Sequence, residues 1–451
     1  MSETPAGTVS LVHLGCARNL IDSELILARM AEQGLAVSGD GENAHTVVLN
    51  TCSFIGPARE ESYSALRGLL ARKRAGDIQG VVVAGCLVQR YKRKLAEEFP
   101  EVDLFAEISD YRELARNVRG LVDGRRPATS YLDGPGLRPP DRDEARLLAT
   151  PGSYAYLRIS HGCDHTCGFC AIPSIRGTHR SKRPAAVLDE ARELIDAGVG
   201  ELVLVAEDST AWGRDLGSEL PALVEALADL DGDHRLRVMY AYPNRFPWDL
   251  APLLRDHPRV HPYLDIPVQH IATNVLRAMR RAGSGDQVRQ ILDRLREEVP
   301  DITLRTTVLV GYPGETDADA AELVDFVRTY GIGRLGAFAY SPEEGTPAFE
   351  LEGEVPGEIA QERLAAVLGA RDEVLRAGQE AMVGRTMEVL VDEIDLEAGI
   401  AVGHGAMDAP EVDPVVIAPA DGSNVGERLQ VQVAGVDAEF NLLGEGIFVE
   451  D

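Results

Sequence analysis

Two sets of three cysteines carry most of the chemistry this chain could perform. Cys163, Cys167 and Cys170 sit inside "ISHGCDHTCGFCAIPSIRG", with three and then two residues between them. Cys16, Cys52 and Cys86 are spread through the first hundred residues, each at the end of an apolar run: "TVSLVHLGC", "TVVLNTC" and "GVVVAGC". These six are all the cysteines of the 451 residues. Thiolates at this density suit a soft metal centre, zinc or iron–sulfur. A structural zinc site closes with four protein ligands. The compact trio has no fourth cysteine nearby, and its neighbouring imidazoles are His161 and His165. An iron–sulfur cluster on three cysteines instead leaves one iron open to a substrate or cosubstrate.

The elements that must position these residues fall into three blocks. In the first, β-branched runs alternate with helical patterns such as "DSELILARMAEQG", which predicts a parallel sheet flanked by helices. Parallel strands end on one sheet edge, so Cys16, Cys52 and Cys86 can meet there despite their separation. The second block repeats the alternation through "AYLRIS", "GELVLVAE", "LRVMYAYP", "VHPYLDIPVQ", "ITLRTTVLVGYPG" and "RLGAFAYSP". Six such units predict a partial barrel with its chemistry at the C-terminal strand ends, and the compact trio follows the first strand. The third block is short strands and turns, as in a small β-barrel. The boundaries expected are 8–135 for the first domain, 136–152 for a linker ("LDGPGLRPPDRDEARL" lies across it), 153–383 for the barrel and 384–451 for the last domain.

With 45% hydrophobic and 26% charged residues the chain can bury ordinary cores. "MSETPAGTVS" lacks the basic-then-apolar layout of a signal peptide. No apolar run approaches the ~20 residues that span a bilayer. A cytoplasmic location is expected, and there cysteines at motif spacing are ligands or catalysts more often than disulfides. The formal net charge of −28 argues against bulk attraction to nucleic acid and for a basic partner. Within 384–451, Arg385 and Arg428 stand against fifteen Asp and Glu, a net of −13. That balance suits docking of a Lys/Arg-rich protein better than binding of RNA.

Cys-x3-Cys-x2-Cys just after a barrel strand resembles the radical S-adenosylmethionine enzymes. The resemblance implies a 4Fe–4S cluster whose open iron is chelated by S-adenosylmethionine, with one-electron cleavage yielding a 5′-deoxyadenosyl radical. The cofactor carries the hard chemistry, and the protein orients and shields it. "GCARNLIDSE", "NTCSFIGPAREES" and "AGCLVQRY" resemble the N-terminal domain of methylthiotransferases, whose three cysteines hold a second cluster that supplies or relays sulfur. "CAIPSIRGTHRSKRP", "YLDIPVQHIATNVLRAMRR", "RTTVLVGYPGET", "YSPEEGTPAFEL" and "DAPEVD" resemble the RimO branch of that family.

That branch implies an α/β chain with a flavodoxin-like first domain, a partial TIM-type (β/α) radical barrel and a TRAM β-barrel. Two 4Fe–4S clusters and S-adenosylmethionine are the implied cofactors. The implied substrate is the β-carbon of an aspartate in ribosomal protein S twelve, with a reductant protein such as flavodoxin or ferredoxin. Neither tRNA nor a membrane is an expected partner. By the same resemblance Phe169 lies near the adenine, and Glu207 and Asp208 near the amino group or ribose. RimO-like chains commonly have Gln where this one has Glu207. Tyr242, Pro243 and Arg305 line the cosubstrate pocket. The basic run "RGTHRSKRP" (Arg176, Arg180, Lys182, Arg183) reads as a solvated loop, or else as a contact to S-adenosylmethionine or a substrate carboxylate. Two other functions stay open: tRNA adenosine methylthiolation of the MiaB type, and a non-enzymatic iron–sulfur sensor.

Overall fold

A computed structural model describes residues 7–38, 44–135, 143–281 and 283–447. The chain separates into two packing units. The first comprises residues 1–149 with 161–165 and 170–180; the second comprises 150–160, 166–169 and 181–451.

The first unit is built on six parallel strands: β1 (Thr8–His13), β2 (Ala36–Ser38), β3 (Thr46–Thr51), β4 (Gly80–Gly85), β5 (Leu104–Ala106) and β6 (Tyr131–Leu132). Their spatial order is β2-β1-β3-β4-β5-β6, the flavodoxin-like order expected from the alternation. β3 and β4, "TVVLNT" and "GVVVAG", are buried at every residue. Parallel strands covered by helices on both faces read as such continuous apolar runs. Val47, Leu49, Val81 and Val83 pack there against Leu66, Leu69, Leu70 and Leu87 from the flanking helices. The helix Ala17–Glu32 buries Leu20, Ile21, Leu25 and Ile26. Residues 143–149, within the expected linker, meet that helix: buried Glu24 accepts from the Ala149 amide at 3.0 Å and pairs with Arg146 at 3.3 Å. The remainder of the linker's first half, 136–142, lies outside the described residues.

Two dipeptide strands, β8 (Ser160–His161) and β9 (Arg180–Ser181), flank the compact cysteine loop in sequence. Before and after them the second unit runs through β7 (Tyr154–Arg158), β10 (Glu201–Val205), β11 (Arg235–Val238), β12 (Val260–Asp265), β13 (Thr303–Val310) and β14 (Leu335–Ala339). These six are parallel and stand in chain order from β7 to β14, with the end strands unpaired to each other. The result is the open half-barrel that six βα repeats predict. The last strands, β15 (Thr386–Asp395), β16 (Ile400–Gly405), β17 (Val416–Pro419), β18 (Arg428–Val436) and β19 (Leu442–Gly444), close into a barrel.

The loop between β16 and β17 contains "DAPEVD", and it fills the half-barrel with carboxylates. Asp408 pairs with Arg334 at 2.6 Å, Asp413 with Arg305 at 3.4 Å, and Glu411 accepts from the hydroxyls of Tyr154 and Tyr156 at 2.8 Å each. Tyr263 donates to Asp413 at 2.6 Å. Beside them Arg237 pairs with Glu201 at 2.7 Å and donates to the Gly405 and Ala406 carbonyls. His404 bridges Glu201 and Asp392. Buried charges persist only when paired and hydrogen-bonded, and here the acidic loop supplies those partners. Part of the last domain's negative charge is therefore spent inward. Glu393, Asp395, Glu397, Asp421 and Glu427 remain exposed.

Candidate functional site

In the first unit the sheet brings Cys16, Cys52 and Cys86 to the carboxyl ends of adjacent strands β1, β3 and β4. Cys16 caps the helix Ala17–Glu32, its carbonyl accepting from the Asn19 and Leu20 amides at 2.8 and 3.0 Å. Cys52 is locked by Ser62, whose hydroxyl accepts from the Cys52 amide and donates to its carbonyl. Cys86 opens the helix Cys86–Tyr91. Gly15 stands before Cys16 with φ of 115°, and a Cβ there would lie 3.3 Å from the Cys52 sulfur. Only glycine takes that backbone freely and leaves the sulfur its space.

Arg176 reaches into the same site from the helix Ile172–Arg176, six residues past Cys170. Its guanidinium donates to the Cys86 sulfur at 3.2 Å and to Asn19 Oδ1 at 3.3 Å, and it pairs with Asp22 at 2.6 Å. The side chains of Arg176 and Asp22 are 6% and 0% exposed. Cys86 also packs against Ile108, Ala171 and Ile175. The residue next to Cys170 therefore shares a buried cluster with a cysteine of the other set.

Burial pushes the Cys86 thiol up to about 11 and raises Cys52 as well. Burial acts the same way on Cys16, but Arg18 and Arg176 outweigh it and leave that thiol below its ordinary value. Desolvation disfavours a lone thiolate here, while a nearby guanidinium and a bound metal favour it.

The compact trio is arranged differently. Cys163 and Cys170 are half-buried and Cys167 is buried. The Cys163 amide donates to the Gly177 carbonyl at 3.1 Å. Gly162 precedes it with φ of 71°, and a Cβ there would meet the Thr178 carbonyl oxygen at 2.1 Å. Gly168 is held by the Met279 carbonyl and the Ala348 amide at 2.7 and 2.8 Å. Arg281 places a guanidinium nitrogen 3.7 Å from the Cys167 sulfur and stacks over the Tyr242 ring at 4.2 Å. Three thiols with no fourth cysteine fit a multi-iron cluster with one open position.

The other expected residues divide. Phe169 packs against the buried cluster formed by Ala272, Val275, Met279, Leu309, Tyr312 and Ala348. Glu207 follows β10, and its buried Oε2 has no hydrogen-bond partner among the described residues, leaving an acceptor of the sort an ammonium ligand satisfies. Asp208 is buried and accepts from the Thr210 hydroxyl at 2.6 Å. Tyr242 is buried beneath Arg281. Arg305 is engaged by Asp265 at 3.1 Å and by Asp413 of the last domain. Of the basic run, Arg183 is exposed, but Arg176 is bound as above and Lys182 is fully buried against Glu190 at 2.8 Å. The solvated-loop reading fails for these two because each finds a buried carboxylate. Arg176 and Arg281 as sulfur partners were not legible from the sequence. The recurrent Gly-Cys pair in "LGC", "AGC" and "HGC" was the available signal for tight loops at Cys16, Cys86 and Cys163.

Known families match three stretches of the chain. Residues 8–107 match the Uncharacterized protein family UPF0004, 157–327 the Radical SAM superfamily and 383–447 the TRAM domain. A ribosomal protein uS12 methylthiotransferase RimO of Trichlorobacter lovleyi is 39% identical over 450 residues, covering 99% of this chain and 100% of that protein. The chain belongs to the RimO family. RimO proteins of Sorangium cellulosum and Bacteroides thetaiotaomicron are 40% and 39% identical, covering 97% and 96% of this chain and 90% and 97% of theirs. Among solved structures, the radical S-adenosylmethionine methyltransferase TsrM of Kitasatospora setae, with cobalamin and a [4Fe-4S] cluster bound, superposes with a TM-score of 0.56 at 16% identity. It covers 76% of this chain and 77% of that one. At that identity the likeness is one of fold.

Proposed function

We propose that this chain is a radical S-adenosylmethionine methylthiotransferase that adds a methylthio group to the β-carbon of an aspartate in ribosomal protein uS12. The observation that carries the reading is the match to RimO proteins over their full length. Two 4Fe–4S clusters and S-adenosylmethionine are the cofactors of this family. Cys163, Cys167 and Cys170 hold the cluster that binds S-adenosylmethionine, and Cys16, Cys52 and Cys86 hold the second, on the sulfur-supplying side. When bound, these groups supply one-electron cleavage of S-adenosylmethionine, hydrogen abstraction from carbon, and sulfur.

The protein's own residues bind, orient and shield. The unpartnered Glu207 carboxylate accepts from the ammonium of S-adenosylmethionine, and Asp208 is held beside it. Phe169 walls the cosubstrate with its ring packed on the cluster that includes Met279 and Tyr312. Tyr242 braces Arg281 against Cys167. Arg305, committed to Asp265 and Asp413, acts as a positioning residue near the start of β13, beside the end of β12. The buried apolar cluster that Cys86 shares with Ala171 supports a short path between the sulfur site and the radical loop. The exposed carboxylates of the last domain suit docking of a basic ribosomal protein. A flavodoxin or ferredoxin serves as reductant in the cytoplasm.

The test is the intact mass of uS12 from cells with and without this gene. One methylthio group lost in the knockout supports the reading. An unchanged uS12 with loss of a thiolated tRNA adenosine would transfer it to the MiaB-type reaction.

A further inference from the structure

We propose that Arg176 is a positioning residue for the sulfur-supplying site, where its guanidinium, fixed by Asp22, holds the Cys86 thiolate and raises the reduction potential of the cluster on Cys16, Cys52 and Cys86. The inference rests on the assignment of that cluster to those three cysteines. Four observations within one packing unit carry it.

First, the geometry is a fork. One nitrogen of Arg176 pairs with Asp22 at 2.6 Å while the other donates to both Cys86 Sγ at 3.2 Å and Asn19 Oδ1 at 3.3 Å. Second, the carboxylate that orients the fork is wholly buried. A buried Arg–carboxylate pair is weak evidence for stability, because desolvation offsets its attraction. Its geometric specificity is what a sulfur partner would use. Third, Asn19 is tied to the strand ends that carry the cysteines: its side-chain amide donates to the carbonyls of Leu14 and Thr51 at 2.7 and 3.3 Å. Arg176 is thus registered to the site through a second anchor. Fourth, Arg176 ends the helix Ile172–Arg176, whose Ile175, with the preceding Ala171, packs on Cys86.

Hydrogen bonds to cluster sulfurs and nearby positive charge stabilise the reduced, more negative form and move the potential upward. A lysine could keep the charge, but it has no planar fork to meet Asp22, Asn19 and sulfur together. The supplier of the fork follows Cys170 by six residues. A disturbance of the radical loop would therefore reach the thiol of the other site through one short helix.

The experiment uses the full chain with Cys163, Cys167 and Cys170 changed to alanine, reconstituted with iron and sulfide so that only the first-unit cluster can form. Its midpoint potential is read by redox titration under electron paramagnetic resonance. Arg176→Gln alone strands a buried Asp22, so the principal variant is the double change Asp22→Asn with Arg176→Gln, which removes both charges; Arg176→Lys is the conservative companion. The expected result is unchanged iron content with a potential shifted negative in the double variant, and partial recovery in Arg176→Lys. An unchanged potential at full iron content would overturn the inference. So would loss of iron accompanied by loss of the folded circular dichroism spectrum, which would make the ion pair merely structural. Failure of the parent variant to hold any cluster would overturn the cysteine assignment itself, and the inference with it.

Discussion

The two cysteine sets solve the same chemical problem by opposite routes. Cys16, Cys52 and Cys86 are distant in sequence and gathered by three adjacent parallel strands, whereas Cys163, Cys167 and Cys170 are gathered by one loop. In the first set burial raises the Cys52 and Cys86 thiols while Arg18 and Arg176 lower Cys16, and a salt-bridged arginine meets Cys86. In the second, two thiols are half-buried, and an arginine stacked on a tyrosine meets the third. A site that stores or relays sulfur gains from being closed. A site whose open iron must meet a cosubstrate has to stay accessible.

The sharpest way to break that comparison is to remove each set in turn. Alanine at Cys163, Cys167 and Cys170 should abolish release of 5′-deoxyadenosine under reduction, measured by chromatography. Alanine at Cys16, Cys52 and Cys86 should spare that release and abolish thiolation. If both variants lose cleavage, the two sets do not divide the labour.

A second prediction sets the first unit against the second. Asp408→Ala leaves Arg334 buried without its partner, which costs on the order of 3–5 kcal/mol. The half-barrel should melt earlier in urea, while the iron held by Cys16, Cys52 and Cys86 stays bound until its own unit unfolds. Simultaneous loss of both signals would show one cooperative body.

Next in size is Gly162→Ala. The new Cβ would meet the Thr178 oxygen at 2.1 Å on a backbone with φ of 71°, a strain of about 1–3 kcal/mol. Iron content should fall toward that of one cluster. Retention of the full amount would show that the loop before Cys163 relaxes freely.

The smallest effect is a pH dependence. Burial would lower His404, but Glu201 and Asp392 outweigh it and hold the ring at about 9, above its ordinary 6.5. The folded value is the higher one, so its stabilisation is complete below about pH 6.5 and is lost as pH rises through about 9. His261 in the same network is shifted down and is already neutral in that window. The melting temperature should decline from about pH 7 to about pH 9, and His404→Gln should flatten the slope. A slope that survives the substitution would point to another group.

Most of the architecture was legible because periodicity reports it directly. "TVVLNT" and "GVVVAG" are apolar throughout because both sheet faces are covered, and six βα repeats reappear as six ordered parallel strands. The cysteine sets stood out because three thiols in one short loop, and three more at the ends of apolar runs, are patterns of residue type and position that the letters themselves carry. What escaped were side-chain partners made by tertiary packing. Arg176 and Lys182 lie in one basic run with Arg183, and nothing in the letters distinguishes a guanidinium that meets buried Asp22 from one that meets water. Arg305 was expected at the cosubstrate pocket because of its strand. Its commitment to Asp413 depends on a loop more than a hundred residues later. The acidity of the last domain was legible as a total but not as a direction, and Asp408 and Asp413 point inward.

That inward turn has a consequence for how the chain is made. The half-barrel's Arg237, Arg305 and Arg334 leave the ribosome before the segment from Asp408 to Asp413, which follows them in the sequence. Domains generally fold as units during synthesis, N-terminal first. Arg237 and Arg305 find Glu201 and Asp265 within the half-barrel itself, but Arg334 meets its counter-charge only once Asp408 has been translated. Truncation between residues 380 and 408 would leave Arg334 buried without Asp408 and strip Asp413 from Arg305, and a chain so shortened should fail through its core before any loss of substrate docking could be measured.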